Sequence, residues 1–127
     1  MNENTQLATS FLEAMAADGL PAAIAKYGAA DLVFWMAGYG EIQDHAEAAH
    51  SAFQALIVPG SETLKIIAVT AEESRVAVEA ETRAMLRSGK EYFNQYHYLF
   101  VTSGGKVSSV RMYYDTALAQ ATFAETA

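Results

Sequence analysis

The second half of the chain contains four segments in which apolar and polar residues alternate, joined by very short links. The segments are ETLKIIAVTA, SRVAVEAETRAML, EYFNQYHYLFVT and KVSSVRMYYD, and the links EES, RSGK and SGG mostly carry glycine. Alternation with period two is typical of β-strands, and links of hairpin length require neighbouring strands to run antiparallel. The sequence therefore predicts a four-stranded antiparallel meander.

The first half has the period of helices instead. Leu7, Phe11 and Met15 recur every four residues, which is the apolar stripe of an amphipathic helix, and Gly19 is a typical stop. Pro21 suits the first turn of a second, short helix with the sequence PAAIAKY. The chain is therefore expected to begin with two helices joined by a tight turn.

A strand and a third helix are predicted next. Residues 31–37, DLVFWMA, form a short run rich in β-formers. Asp44 and Glu47 are spaced as a capping signal before a helix that Pro59-Gly60 ends. The order of helix, helix, strand, helix and meander indicates an α+β fold, with three helices on a strongly curved, mainly antiparallel sheet. Such a sheet would form a cone with an open mouth, and the tail TALAQATFAETA is expected either to add a helical turn or to fray.

Length and charge limit the classes of function. A chain of 127 residues is the usual size of one domain, so residues 1–127 are expected to form a single domain. A net charge of −7, with eight Lys and Arg residues, argues against nucleic acid as a partner. No secretory signal and no membrane-spanning run is recognisable, so we expect a cytoplasmic protein without membrane contact.

No metal or cofactor site is expected. The chain has no cysteine, so it has no thiolate ligand, thiol nucleophile or disulfide. His45 and His50 lie five residues apart, about 140° around a helix, so they do not converge on one ion, and His97 belongs to another element. Motifs for phosphate, dinucleotide or a serine nucleophile are also missing from the sequence.

The sequence resembles the SnoaL-like branch of the nuclear transport factor 2-like superfamily, which includes ketosteroid isomerases, polyketide cyclases and limonene epoxide hydrolase. The similarity lies in VAVEAETRAMLRSGKEYFNQYHYLFVTSGGKVSSVRMYYDTA, in the preceding DLVFWMAG and in the helix pair. This resemblance implies a cystatin-like α+β cone with a pocket between the sheet and the helices. The scaffold hosts many unrelated reactions, so it implies no single activity.

Catalytic residues of two members of the superfamily can be placed on this chain by element order. The carboxylate base of ketosteroid isomerases falls on or beside Trp35, and their two oxyanion donors correspond approximately to Phe11 and His97. The arginine and two aspartates of limonene epoxide hydrolase correspond to Glu79, Glu81 and Met112. Neither catalytic set is therefore present.

Three residues are candidates for proton transfer. His97 lies at the centre of a strand, where an imidazole could act as a base or a hydrogen-bond donor near pH 7. Glu79 and Glu81 share one face of the preceding strand with Arg83, and two neighbouring carboxylates can divide the roles of acid and base. The alternatives are a structural histidine at a dimer face and a solvated strand face.

Which face of the histidine strand points inward is left open. Alternation groups His97 with Phe93, Gln95 and Leu99, and it groups Tyr96 with Asn94 and Tyr98. The isomerase-like register turns His97 inward, and the epoxide-hydrolase-like register turns Tyr96 inward. The remaining ligand-binding candidates are mostly large and apolar or amphipathic: Phe11, Met15, Trp35, Tyr39, Phe53, Arg83, Asn94, Tyr96, Met112 and Tyr114.

Two functions follow as expectations. The first is a cofactor-free acid–base enzyme that isomerises, cyclises or hydrates a small hydrophobic compound, with His97 as the leading catalytic group. The second is a non-catalytic module that uses the same fold to bind a small ligand or another protein. In both cases the outer face of the sheet is expected to form a homodimer.

Overall fold

The described part of the chain, residues 2–124 of a computed structural model, contains four α-helices and six β-strands. The helices are α1 (Glu3–Asp18), α2 (Leu20–Tyr27), α3 (Ala46–Leu56) and α4 (Thr116–Ala124). The strands are β1 (Gly28–Met36), β2 (Gly40–Glu41), β3 (Thr63–Glu72), β4 (Arg75–Met85), β5 (Glu91–Ser103) and β6 (Lys106–Tyr114). Residues 1 and 125–127 of the predicted domain lie outside the described residues.

Helices α1 and α2 form the predicted tight pair. The Asn2 side chain caps α1 by accepting a hydrogen bond from the Thr5 N–H, at 2.8 Å. Gly19 joins the two helices with a φ of 97°, a left-handed value that favours glycine. A Cβ atom at Gly19 would also lie 2.6 Å from the ring of His50. Glycine here therefore lets α3 pack closely against the helix pair.

The sheet is mixed and has the order β2-β1-β6-β5-β4-β3. Strands β3 to β6 form the predicted antiparallel meander. Strand β1 runs parallel to β6 and begins at Gly28, three residues before the predicted start. The register between β1 and β6 shifts between Gly28 and Val33, so the pairing of the two strands is irregular near the start of β1. The α+β prediction is confirmed, with a fourth helix added after the sheet.

The predicted start of α3 is wrong in one detail. Asp44 lies inside a single 3-10 turn over Gln43–His45, and no side chain caps the helix that begins at Ala46. The Gln43 carboxamide oxygen accepts a hydrogen bond from the Phe34 N–H, at 3.1 Å. The turn is thus tied to β1, and this tertiary contact replaces the local cap that the sequence suggested.

Helix α4 follows the last strand directly. The Asp115 carboxylate accepts a hydrogen bond from the Leu118 N–H, at 3.0 Å, which caps the first turn. The tail is therefore helical as far as the structure describes it. None of the helices within residues 2–124 combines the length and the apolar character needed to cross a bilayer.

The core lies between the inner face of the sheet and helices α1 and α2. Phe11 is fully buried there, with ring centroids 6.4 Å from Phe34 and 5.7 Å from Phe100. Val76, Val78 and other inward residues of β4 complete the cluster. Phe11 is therefore a core residue and does not line the pocket, contrary to its predicted role in ligand binding.

Phe11→Ala should lower the free energy of unfolding by about 3–5 kcal/mol, because it leaves a cavity among tightly packed rings. Urea denaturation followed by circular dichroism measures this change. Glu13→Ala, at an exposed position of the same helix, is the control and should change the value by no more than about 0.5 kcal/mol. A loss of under about 1 kcal/mol for Phe11→Ala would contradict the central place of this ring in the core.

Candidate functional site

A cavity of about 410 Å³ lies between the inner face of the sheet and helices α1, α3 and α4. This volume is at the lower end of the range of ligand pockets, about 300–1,000 Å³. Most lining side chains are apolar, among them Met15, Phe34, Phe53 and Met112. The polar lining residues are His50, Glu62, Thr82 and five tyrosines. The cavity therefore suits a small organic compound that makes few polar contacts.

Strand β5 supplies the cavity floor through its alternate residues. Tyr92, Tyr96 and Tyr98 face inward and line the cavity, whereas His97 faces the opposite side of the sheet and is exposed. The open question about this strand is thereby answered in favour of Tyr96.

The floor is an aromatic ladder. The Tyr96 ring stacks on Tyr98 and Tyr114, with centroids 5.7 and 5.5 Å apart and interplanar angles of 10° and 17°. Burial raises the pKa of Tyr96 and Tyr98 well above their ordinary range and that of Tyr114 to about 12. At neutral pH these side chains are therefore protonated and can donate hydrogen bonds to a ligand.

Two of the floor hydroxyls are bonded to each other. The oxygens of Tyr92 and Tyr96 are 2.6 Å apart, and the Asn94 amide donates to the Tyr92 oxygen at 2.8 Å. Asn94 also bonds to both the N–H and the carbonyl oxygen of Asp115, where β6 passes into α4. Asn94 is buried and lies behind the cavity wall, so it supports Tyr92 and does not itself line the cavity, contrary to its predicted role.

Glu62 is the one carboxylic acid that lines the cavity among the described residues. Desolvation by burial raises the pKa of this carboxyl from 4.5 to about 7. Its charge, in turn, contributes after burial to the raised pKa of Tyr98. Glu62 is therefore an acid that can hold or release a proton near neutral pH, beside hydroxyl groups that can donate.

The backbone before Glu62 is held in place by the neighbouring serine. The Ser61 hydroxyl donates to the Val58 carbonyl at 2.6 Å and accepts from the Met85 N–H at 3.1 Å, which ties this turn to the end of β4. Gly60 provides the positive φ of 78° that the turn requires. Sequence reasoning missed Glu62, because it read the Pro59-Gly60 pair only as a helix stop; a carboxylate directly before an apolar strand was the one available signal.

His50 also lines the cavity, from helix α3, with its ring against the backbone of Gly19. In the sequence, the spacing of His50 from His45 bears only on metal binding. Among residues 2–124, no three His, Asp or Glu side chains come together in a way that could hold a metal ion. His50 is therefore best described as a polar member of the cavity wall.

The predicted ligand-binding residues divide into two groups. Six of them line the cavity: Met15, Tyr39, Phe53, Tyr96, Met112 and Tyr114. Trp35 and Arg83 instead lie on the outer face of the sheet. The Arg111 guanidinium stacks 3.9 Å above the Trp35 ring, and Arg83 forms an exposed salt bridge with Glu91, at 2.9 Å.

All three predicted catalytic residues lie on the outer face as well. Glu79 pairs with His97 across β4 and β5, and Glu81 lies two residues further along the same face. The inward residues of β4 around them are Val78, Ala80 and Thr82. Because neighbouring residues of a strand point to opposite faces, His97, Glu79 and Glu81 cannot reach the cavity, and the placement of these groups in the pocket is corrected.

Comparisons with known proteins identify the family and the fold of the chain. A sequence model of the SnoaL-like domain matches residues 8–110. A comparison with curated proteins gives no match. Among solved structures, an NTF2-like protein of unknown function from Burkholderia pseudomallei is 18% identical, with a TM-score of 0.77 and coverage of 95% of this chain and 97% of that chain.

Two further structures share the fold and are described as enzymes. BvnE pinacolase from Penicillium brevicompactum is 18% identical, with a TM-score of 0.81 and coverage of 98% of this chain and 90% of that chain. An LEH-like epoxide hydrolase from M. tuberculosis is 16% identical, with a TM-score of 0.72 and coverage of 98% and 91%. The predicted NTF2-like α+β fold is confirmed by these likenesses.

The raised pKa of Glu62 predicts how stability depends on pH. Between pH 4.5 and about 7 the unfolded chain ionises Glu62 while the folded protein keeps it protonated, so the free energy of unfolding falls across this window. Glu62→Gln removes this contribution, and the variant should therefore gain stability relative to the parent as the pH rises from 4.5 to 8. Urea denaturation at several pH values measures the difference.

Thr63→Ala is the matched control for this experiment. Thr63 is the exposed neighbour of Glu62, and its replacement adds and removes no ionisable group. This variant should keep the parental dependence on pH. Parallel pH profiles for the parent and Glu62→Gln would show that Glu62 is solvated like an ordinary surface carboxylate.

Proposed function

Because the chain belongs to the SnoaL-like domain family, we propose that it is a cofactor-free acid–base enzyme acting on a small hydrophobic compound. The observation that carries this proposal is Glu62, a carboxyl group with a pKa of about 7 in the wall of an apolar cavity. Perturbed acids in clefts are frequent at catalytic sites, since a group that transfers protons works best near the ambient pH.

In the proposed reaction Glu62 moves a proton between two positions of the ligand. The Glu62 carboxylate takes a proton from a carbon next to a carbonyl group, and the electron pair of the C–H bond moves onto the carbonyl oxygen to form an enolate. The resulting carboxylic acid then returns the proton to the same or another carbon, which completes an exchange or an isomerisation. Tyrosine hydroxyls on the floor, Tyr96 above all, stabilise the oxygen anion by donating hydrogen bonds.

Two of the structures with this fold are described as a pinacolase and an epoxide hydrolase. These descriptions support chemistry on a small molecule as the function of such a cavity. The alternative is a module that binds a small ligand without turning it over, and it is favoured by the absence of both carboxylate patterns that the family resemblance implies. The two functions differ in whether Glu62 exchanges protons with a bound ketone.

Proton exchange in D₂O tests this difference with 2-tetralone as the probe ketone. The protein should speed the replacement of the hydrogens next to the carbonyl group, as followed by NMR, and the rate should rise with pH up to about 7 as Glu62 becomes the base. Glu62→Gln should lower the catalysed rate by about 100-fold or more, because a general base typically contributes that much.

Variants of the outer face are the controls for the exchange experiment. His97→Ala and Glu79→Gln should keep the parental rate, since both side chains lie on the opposite side of the sheet. A loss of exchange in His97→Ala would indicate that His97, and not Glu62, is the catalytic base. Binding of 2-tetralone without any catalysed exchange would favour the non-catalytic module.

We also propose a homodimer through the outer face of the sheet. This face carries Trp35 and Tyr113, with ring centroids 5.2 Å apart, and Tyr113 is 40% exposed. Leu99 lies between Arg111 of β6 and Ala77 of β4, and Glu79 is one pair further along the same face. A two-fold axis near Leu99 would bring the arginine of each copy towards the acidic strand of the other, so that charges of opposite sign would meet.

Leu99→Lys should convert such a dimer into a monomer, because a two-fold axis near this residue would bring the two new charges together. Sedimentation velocity measures the mass of the parent and the variant. Ala17→Lys, at an exposed position of helix α1, adds the same charge away from the sheet and should stay dimeric. A monomeric parent at micromolar concentration would contradict the proposal.

A further inference from the structure

The hydrogen bonds of Asn94 fix the orientation of its amide group. Its Oδ1 atom accepts from two backbone N–H groups, those of Gln95 at 2.8 Å and Asp115 at 3.1 Å. Because a backbone N–H can only donate, the atom that faces both of them must be the oxygen. The Nδ2 atom is therefore the one that faces the Tyr92 hydroxyl at 2.8 Å and the Asp115 carbonyl at 2.9 Å.

This orientation makes the Tyr92 oxygen an acceptor, and the remaining hydrogen-bond partners then decide where the Tyr92 proton goes. Among the described residues the Tyr92 hydroxyl has two partners, Asn94 and Tyr96, whereas the Tyr96 hydroxyl has only Tyr92. If Tyr96 donated to Tyr92, the Tyr92 oxygen would accept two hydrogen bonds and its own proton would have no acceptor among these partners, which is costly. If Tyr92 donates to Tyr96, both Tyr92 contacts are used and the free proton belongs to Tyr96, which borders the cavity.

We infer that Asn94, Tyr92 and Tyr96 form a one-way hydrogen-bond chain whose free end, the Tyr96 O–H, donates to a carbonyl or enolate oxygen of the ligand. Asn94 is then a positioning residue that sets the direction of the chain without touching the ligand. The inference deepens the proposed function, on which it rests, because it names a ketone or a related oxygen acceptor as the ligand class. A hydroxyl that accepts one hydrogen bond also donates a stronger one, so the chain polarises Tyr96 towards the ligand.

The ring of Tyr96 is held in place by its neighbours. It stacks between Tyr98 and Tyr114, so the hydroxyl has a fixed place at the cavity floor. A donor that is already oriented loses little conformational entropy on binding, which favours a ligand with a matching acceptor over one of the same shape without it. The site should therefore prefer ketones to hydrocarbons of equal size.

Two probes of nearly equal shape test this preference without any turnover. Acetophenone carries the carbonyl group, and ethylbenzene replaces it with a CH₂ group. In Tyr96→Phe the affinity for acetophenone should fall by about 3- to 10-fold, the value of one hydrogen bond, while the affinity for ethylbenzene should not change. Infrared spectroscopy should find the C=O stretch of bound acetophenone at a lower frequency in the parent than in this variant.

Tyr92→Phe tests the direction of the chain. In the inferred direction this variant removes the polarising donor, so acetophenone should bind about twofold more weakly and its C=O stretch should move part of the way towards the value in Tyr96→Phe. In the opposite direction the variant would release the Tyr96 proton, and acetophenone would bind more tightly. Tighter binding of acetophenone to Tyr92→Phe would overturn the inference.

Asn94→Asp tests the positioning role with a side chain of the same shape. A carboxylate at this position can only accept, so it would draw the Tyr92 proton to itself and turn Tyr96 towards Tyr92. The loss of acetophenone binding and the shift of the C=O stretch should then match those of Tyr96→Phe, although Tyr96 is present. An unchanged C=O stretch in a folded Asn94→Asp protein would overturn the role of Asn94; if this variant fails to fold, Tyr92→Phe decides the direction.

The outcomes separate this inference from the proposed function. If the parent bound acetophenone no more tightly than ethylbenzene, and Tyr96→Phe bound both probes as the parent does, the hydrogen-bond chain would be overturned. An apolar pocket with Glu62 would remain. Failure of both probes to bind would count against a pocket for small apolar compounds, and with it against the chain. Glu62→Gln should lose proton exchange but keep the parental C=O stretch of bound acetophenone. This result, together with the expected shift in Tyr96→Phe, would support the proposed function and the chain.

Discussion

The pairing of β5 with a neighbour on each side is the constraint on which the site depends. Its antiparallel registers with β4 and β6 decide that Tyr92, Tyr96 and Tyr98 face the cavity. A shift of one residue would turn all three rings outward, because strand side chains alternate with period two. Asn94 also stabilises this register, since its amide forms hydrogen bonds with the backbone of Asp115 beyond the end of β6. The same hydrogen bonds therefore hold the register and support the tyrosines.

The apolar lining controls the charges in the cavity. Burial favours the neutral form of an acid, so it raises the pKa of Glu62 and of Tyr92, Tyr96, Tyr98 and Tyr114 together. These four tyrosines start from a high pKa and stay neutral, whereas Glu62 starts low and is raised only to about 7. One environment thus produces two kinds of group: permanent donors on the floor and one acid that can change its protonation state.

The order of helices and strands could be predicted from the sequence, because hydrophobic periodicity controls it. The directions of individual side chains could not, because they depend on tertiary packing. The order of the helices and the meander followed from periods and turn residues, but alternation alone could not decide between Tyr96 and His97, because both faces of β5 are partly polar. Trp35 was placed on the wrong side, since the direction in which it points depends on how β1 pairs with β6, far away in the sequence. Glu62 follows a turn, and only the folded structure reveals its desolvation.

The surroundings of Glu62 differ from those of a carboxylate that stabilises a fold. A carboxylate kept for stability is normally paired with a cation, yet no Lys or Arg lines the cavity among the described residues. The chain does have cations on the outer face, where Arg83 pairs with Glu91 in solvent. Above pH 7, where Glu62 ionises, its burial therefore costs the fold free energy that no lining cation offsets. The proposed function would account for this cost, because a group that transfers protons works best when its pKa lies near the ambient pH.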